Sequence, residues 1–311
     1  MSTLLPASIK TIVIATDLSQ SADAAAEQAA ALARRCGASL WMLHVFNDGI
    51  WASVKGIYDA ERWSDNEPVL SARNRLSQQV RDIADRYGVC VTGETRTGHP
   101  ATEIAHFIDE CGADLVVVGK HGENSGDTFL GGTALKVLKQ SNVPVLLTHR
   151  NTANDYSKVL IATDFSKCDF KAARYAFGLF PTSSHYVLHT YYIAFEGCMR
   201  IAGASDRAIE RYNDNELQNS EEKMARMRAT LAVDKSLQVE WMSICGYPGR
   251  EVIRQSEKLG VDLIVIGKRG VVTLEDHLLG SVTQNVLYHT DKNVLLVPDN
   301  LPEDIRGLRE S

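Results

Sequence analysis

A chain of 311 residues is long enough for about two domains, and a content of 44% hydrophobic and 23% charged residues is ordinary for a globular protein. The formal net charge of −6 argues against nucleic acid as a partner, because gripping a phosphate backbone needs a basic surface. No apolar run approaches the roughly 18 residues of a membrane span, and MSTLLPASIK lacks the charged segment and long apolar stretch of a secretory leader, so neither membrane nor export is expected.

In chain order, residues 9–16 form an apolar run that reads as a first strand. Ser19 is placed as the N-cap of a helix whose Ala25, Ala29, Leu32 and Cys36 share one face, with Gly37 as its stop. LWMLHVF at 40–46 is a second strand. An irregular segment at 47–68 carries Trp51, Tyr58 and Trp63, which read as packing aromatics, the alternative being a lid or partner surface. A helix is expected over 69–87 and a third strand over 89–96. Pro100 then suits the first turn of a helix with Ile104, Ile108 and Cys111 on one face. A fourth strand at 114–119, a short helix at 132–140 and a fifth strand at 143–148 complete the set.

The chain then repeats itself. IVIATDLS at 12–19 returns as VLIATDFS at 159–166, ADLVVVGKHG at 113–122 as VDLIVIGKRG at 261–270, and Gly98-His99-Pro100 as Gly246-Tyr247-Pro248. LGGTALKVL at 130–138 returns as LGSVTQNVL at 279–287. The period is that of a whole domain. We therefore expect one domain over 1–150, a second over 155–299, a polar join between them, and a polar tail over 300–311. A second irregular segment is expected at 192–205. Strands alternating with helices mean a parallel sheet covered on both faces.

Six cysteines (Cys36, Cys90, Cys111, Cys168, Cys198 and Cys245) form no C-x-x-C pair, so reduced thiols in the cytoplasm are expected, each a small buried hydrophobe. His44 and His189 hold equivalent places on the second strand of each half and read as structural. No carboxylate or histidine cluster has metal spacing, and no nucleophile elbow or Walker sequence is present, so no catalytic or metal-ligating residue is assigned.

Glycine carries the chemistry. The fourth strand ends at Gly119, followed by Gly122, nine residues, and Gly132-Thr133. The second half gives Gly267, Gly270, nine residues, and Gly280-Ser281. Such a loop lets backbone N–H groups close round an anion, and the Gly-Ser/Thr step opens a helix whose N-terminus favours negative charge. Val282 and Thr283 continue the second frame, where the same offset gives Ala134 and Leu135 in the first, one hydroxyl fewer. The loop cations Lys120, His121, Lys268 and Arg269 could help hold phosphate but read as solvated. Asp17 and Asp164 end the first strand of each half. Each can accept from ribose hydroxyls or cap the following helix, and both roles can coexist. In a sheet that starts in the middle they face Gly119 and Gly267 across the crevice where ligands bind.

The ATD-[LF]-S, L-H-V, G-x-P and G-x2-G-x9-G-[S/T] elements together resemble the universal stress protein family, in its tandem two-domain form, over nearly the whole chain. The resemblance implies an adenine-nucleotide α-hydrolase-like fold, a five-stranded parallel sheet of order 3-2-1-4-5 in each half. It implies ATP or ADP with Mg²⁺ held mainly by the phosphates and two halves packed as a pseudo-dimer; a homodimer of the chain is a further expectation. By motif position the adenine would meet Ala15, Thr16 and Val45, or Ala162, Thr163 and Thr190. Ribose would meet Asp17 and Gly119, or Asp164 and Gly267. Phosphates would meet Gly122, Gly132 and Thr133, or Gly270, Gly280, Ser281, Val282 and Thr283. The second half is expected to be the better site. The expected function is a nucleotide-dependent regulatory protein of stress response. The alternatives are a slow ATP hydrolase or nucleotidyl transferase on the same scaffold, and a nucleotide-free scaffold for partners.

Overall fold

The computed structural model describes residues 9–47, 67–120, 130–149, 156–192, 196–268 and 279–301. The chain divides into two compact units, one of residues 8–155 and one that begins at Tyr156. The first unit holds strands β1 (Thr11–Thr16), β2 (Ser39–Phe46), β3 (Val91–Thr97), β4 (Leu115–Gly119) and β5 (Val145–Thr148). Between them lie helices α1 (Gln20–Cys36), α2 (Glu67–Tyr87), α3 (Pro100–Cys111) and α4 (Gly132–Gln140). All pairings are parallel, in the order β3-β2-β1-β4-β5.

The second unit repeats this plan. Its strands are β6 (Lys158–Thr163), β7 (Ser184–Tyr191), β8 (Gln238–Cys245), β9 (Leu263–Lys268) and β10 (Asn293–Pro298). Its helices are α5 (Lys167–Leu179), α6 (Glu196–Ile201), α7 (Asp206–Leu231), α8 (Pro248–Leu259) and α9 (Ser281–His289). The order is β8-β7-β6-β9-β10, again all parallel. Both units thus have the 3-2-1-4-5 sheet of the α/β class. Among the described residues no helix is long and apolar enough to cross a membrane.

The central strands are apolar on both faces because helices cover both. Ile12, Val13 and Ile14 of β1 and Val159, Leu160 and Ile161 of β6 are wholly buried. Each such side chain removed from water stabilises the fold by roughly 1.5–3 kcal/mol. The third strands, β3 and β8, are half exposed as edge strands of each unit, and β3 is correspondingly polar.

Helix boundaries follow local chemistry. Ser19 caps α1, its Oγ accepting from Ala22 N at 3.3 Å, and Gly37 ends it in the left-handed region at φ 66°. Pro100 and Pro248 open α3 and α8, where a missing N–H costs nothing. Asp114 accepts from the backbone N–H groups of Lys10 and Thr11 at 2.7 and 2.9 Å. Asp262 does the same for Ser157 and Lys158, both at 2.9 Å. The repeated aspartate before the fourth strand therefore pins the start of the first.

Several expectations shift. The segment at 192–205 contains the short helix α6, so it is not wholly irregular. Trp51, Tyr58 and Trp63 lie outside the described residues. The cysteines are not uniformly buried: Cys168 is, Cys36 and Cys111 are half-buried, and Cys90 and Cys245 are exposed, the one just before β3 and the other at the end of β8, both edge strands of their units.

Candidate functional site

Each first strand runs into its helix through one tight turn. Thr16 Oγ1 accepts from Leu18 N at 3.0 Å, and Asp17 Oδ1 accepts from Ser19 N at 3.0 Å. In the second unit Thr163 Oγ1 accepts from Phe165 N and Asp164 Oδ1 from Ser166 N, both at 2.9 Å. Leu18 and Phe165 are held at φ 61° and 67°. A left-handed non-glycine residue is costly, and such residues gather at functional sites. Serine, not aspartate, is the N-cap in both units. The aspartates instead brace the turn and leave their carboxylates exposed at the mouth of the sheet.

The strand register supplies the other wall. Ala15 pairs with Val118 and Ala162 with Ile266, so Asp17 and Asp164 stand beside Gly119 and Gly267 at the carboxyl ends of neighbouring strands. His44 Nδ1 lies 2.9 Å from Thr16 O, and His189 Nδ1 lies 2.8 Å from Thr163 O. These histidines tie the second strand to the end of the first and are structural.

In the second unit this crevice opens into a cavity of about 260 Å³, near the lower end of the ~300 Å³ typical of small-molecule sites. Ala162, Thr163, Asp164, Thr190, Gly267, Gly280, Ser281, Val282 and Thr283 line it. Gly270 lies outside the described residues, as do Arg269 beside it and His121 and Gly122 in the first unit. The lining also includes Leu188, Pro248, Val252 and Ile266, an apolar wall that the motifs do not mark.

It includes one more residue, Asp169 on α5, only 5% exposed. Its Oδ2 accepts from Asp164 N at 2.6 Å. Burial pushes its carboxyl up to about 7, and hydrogen bonds from Thr163, Ser166 and Gly267 only partly oppose this. Asp169 sits directly behind Gly267: a Cβ at that glycine would fall 2.5 Å from Asp169 Oδ1 and 2.9 Å from Cys168 Sγ. Gly267 is thus required by helix–strand packing as much as by any ligand. Ser166-x-x-Asp169 has the spacing of a capping box, which was the available sequence signal. In the first unit, the residue equivalently placed after Asp17 is Ala22.

The helix that closes the crevice begins differently from the assigned frame. Gly131, not Gly132, is the N-cap of α4, with φ −58° and ψ 140°. It matches Gly280, the N-cap of α9, with φ −59° and ψ 154°. Leu135 N bonds to Gly131 O and Gln284 N to Gly280 O, each at 2.9 Å. Counted from Gly119 and Gly267, which the strand register matches, the step to the helix cap is therefore one residue shorter in the first unit than in the second. Gly132 occupies the place of Ser281, Thr133 that of Val282, and the buried Ala134 that of the buried Thr283. In the first unit Ala15 and Val45 are half-buried, Thr16 is buried, and Gly132 and Thr133 are exposed on the first turn of α4.

The loop lysines are less solvated than their position suggests. Lys120 is 4% exposed. Lys268 is half-buried, and burial pushes its ammonium down to about 8, with the Cys168 thiol acting against the shift. Cys168 Sγ in turn donates to Lys268 O at 3.0 Å.

Comparison with known proteins follows the same division into halves. The universal stress protein family matches the chain twice, over residues 8–149 and 155–298. Universal stress protein MJ0577 of Methanocaldococcus jannaschii is 30% identical over 156 residues, covering 46% of this chain and 94% of that protein. Universal stress protein MJ0531 of the same organism is 30% identical over 143 residues, covering 45% and 82%. Among solved structures, a universal stress protein from Archaeoglobus fulgidus aligns with a TM-score of 0.69 at 18% identity, over 93% of this chain and 98% of that one, a likeness of fold. With both halves matched, the chain belongs to the universal stress protein family.

Proposed function

We propose that this protein binds an adenine nucleotide, ATP or ADP, at the mouth of each sheet, and that the second unit is the better site. The observation that carries the reading is the cavity lined by Asp164, Gly267 and the first turn of α9. Its apolar wall of Leu188, Val252 and Ile266 suits a base, and Asp164 can accept from a ribose diol. The N-terminus of α9, with the Ser281 and Thr283 hydroxyls, suits phosphate. Among the described residues no group of three or more His, Cys, Asp or Glu side chains could hold a metal alone. A Mg²⁺ ion would be carried mainly by the nucleotide phosphates, neutralising their charge. Occupancy would change the surface offered to partners in a stress response rather than feed rapid turnover. A cytoplasmic setting fits the free state of the five described cysteines.

The test is direct. The protein is purified without added ligand and denatured, and released nucleotide is measured by mass spectrometry for the wild type, Gly122→Val and Gly270→Val. Adenine nucleotide is expected from the wild type, with the larger loss in Gly270→Val. Equal yields from all three chains would refute the glycine-loop site.

A further inference from the structure

The second cavity has a carboxyl group on its floor that the first unit lacks, and this bears on the charge of what the cavity takes up. We propose that the second unit binds its anionic nucleotide together with one proton, carried by Asp169. The inference rests on the nucleotide reading above and adds its regulation.

The geometry leaves the carboxyl little freedom. Asp169 lines the cavity and is 5% exposed. One oxygen is held by Asp164 N at 2.6 Å. The other lies where Gly267 has no side chain, 2.5 Å from the point a Cβ would occupy. Swinging the side chain away would break the first contact, and the strand closes the other direction. Any ligand that fills the crevice between β6 and β9 therefore meets this group.

Among the described residues, the groups that offset the burial of Asp169 are the hydrogen-bond partners Thr163, Ser166 and Gly267, not a cation. Asp164 after β6 bonds Asp169 directly, and the charged groups that act on its neighbour Cys168 are Asp169 itself, Asp299 after β10, Lys171 on α5 and Lys268 at the end of β9. Lys171 is engaged by Asp299, at 3.4 Å between Nζ and Oδ1. On α7, the neighbour of α5, Lys223 acts on His189. The cavity-lining residues of α8 and α9 carry no charge: Pro248, Val252, Gly280, Ser281, Val282 and Thr283. A phosphate brought beside an ionised Asp169 would meet a like charge in a poorly solvated crevice, and a like charge within ~4–6 Å favours protonation. The protonated acid has an O–H with which to donate to a ligand oxygen. Burial already places Asp169 near 7, so the proton is available at ordinary pH.

Linkage fixes the direction. Binding that takes up a proton strengthens as pH falls, and above the carboxyl's own pKa it weakens by a factor of about ten per pH unit. In the first unit the equivalent position is Ala22, so a site there has no such dependence.

The experiment is calorimetric titration of the full chain with ATP at pH 6, 7 and 8, each in two buffers of different ionisation enthalpy. Wild type, Asp169→Asn and Asp169→Ala are compared, with folding checked by thermal melting. The titration of ATP's own terminal phosphate is common to all three chains and cancels. The wild type is expected to lose about tenfold more affinity than either variant between pH 6 and pH 8. It should also take up close to one more proton per second-unit site at pH 8. Asp169→Ala reproduces the first unit's residue and keeps the test open if Asp169→Asn folds poorly. Binding of ATP with the same pH slope and proton count in all three overturns the inference while leaving the nucleotide reading intact. Absence of ATP binding to the wild type at every pH overturns both.

Discussion

The backbone N–H of Asp164 donates to Oδ2 of Asp169 at 2.6 Å, which joins the two acidic residues of the second crevice through a main-chain contact. One carboxyl faces solvent and braces the strand-to-helix turn; the other is buried beneath Gly267. Solvation separates their chemistry. The exposed group is suited to accept from a ligand hydroxyl, and the buried one to hold a proton.

Gly267→Ala is expected to destabilise the protein by about 1–3 kcal/mol, the usual cost of forcing extra volume into a packed site. The added methyl would press on Asp169 Oδ1 at 2.5 Å, on Cys168 Sγ at 2.9 Å and on the Cys168 carbonyl carbon at 3.1 Å. Urea unfolding measures the loss. Adding Asp169→Ala should restore only part of it, because the Cys168 contacts remain, and the double-mutant cycle reads the coupling.

His185 on β7 is 1% exposed and meets Phe177 edge-on, with ring centroids 4.9 Å apart. Burial pushes its imidazole down to about 4. Above pH ~6.5 the ring is neutral in folded and unfolded chains alike. As pH falls from there towards 4, the unfolded chain takes the proton first, and stability drops by up to ~1.4 kcal/mol per unit. Asp169 acts with the opposite sign: its folded form keeps a proton the unfolded chain has lost, so its contribution falls as pH rises towards 7. His185→Leu should therefore gain most over the wild type near pH 4.5 and least above pH 7. Chemical unfolding at a series of pH values checks this, and a pH-independent difference would exclude it.

Asp262→Ala removes the acceptor for Ser157 N, Lys158 N and the Ser157 hydroxyl. A loss of about 1–3 kcal/mol is expected, with Asp114→Ala behaving alike in the first unit. Neither should change the nucleotide recovered per folded chain, since both lie at the amino ends of the strands. Thermal melting and mass spectrometry on the same samples separate the two effects.

Thiol accessibility offers a further check. Cys168 is buried, and burial together with Asp169 and Asp299 pushes its thiol up to about 12. Iodoacetamide at pH 8 should label the exposed Cys90 and Cys245 in the native protein and reach Cys168 only on unfolding. Peptide mass spectrometry over a time course gives the order of labelling.

The fold could be read from the chain because duplicated signals reinforce each other. Ser19 and Ser166, Pro100 and Pro248, and the apolar runs at β1, β4, β6 and β9 recur in one order, and that order specifies the sheet. The second cavity was legible for the same reason: Asp164, Gly267 and Gly280 stand at strand and helix ends, where periodicity breaks. Asp169 was not, since it has no counterpart in the first half and reads as a surface residue of a capped helix; its burial depends on Gly267, nearly a hundred residues away. Gly131 was missed because two adjacent glycines look alike to an offset. Only helix geometry shows which of them is the cap. Lys120 and the exposed cysteines were misjudged because residue type alone does not say how far a strand end is covered.

The one-residue difference between the Gly119–Gly131 and Gly267–Gly280 steps separates the halves in a way substitutions cannot undo. Exchanging a side chain alters what a position donates or accepts. Dropping a residue ahead of a helix instead shifts every later side chain by about 100° around the axis relative to the incoming strand, or makes the strand end absorb the slack. Grafting Ser281, Val282 and Thr283 onto the first unit by point mutation would thus leave them on a shorter tether, whereas a single inserted residue would match the two lengths. The two units thus differ in backbone length as well as in side chains.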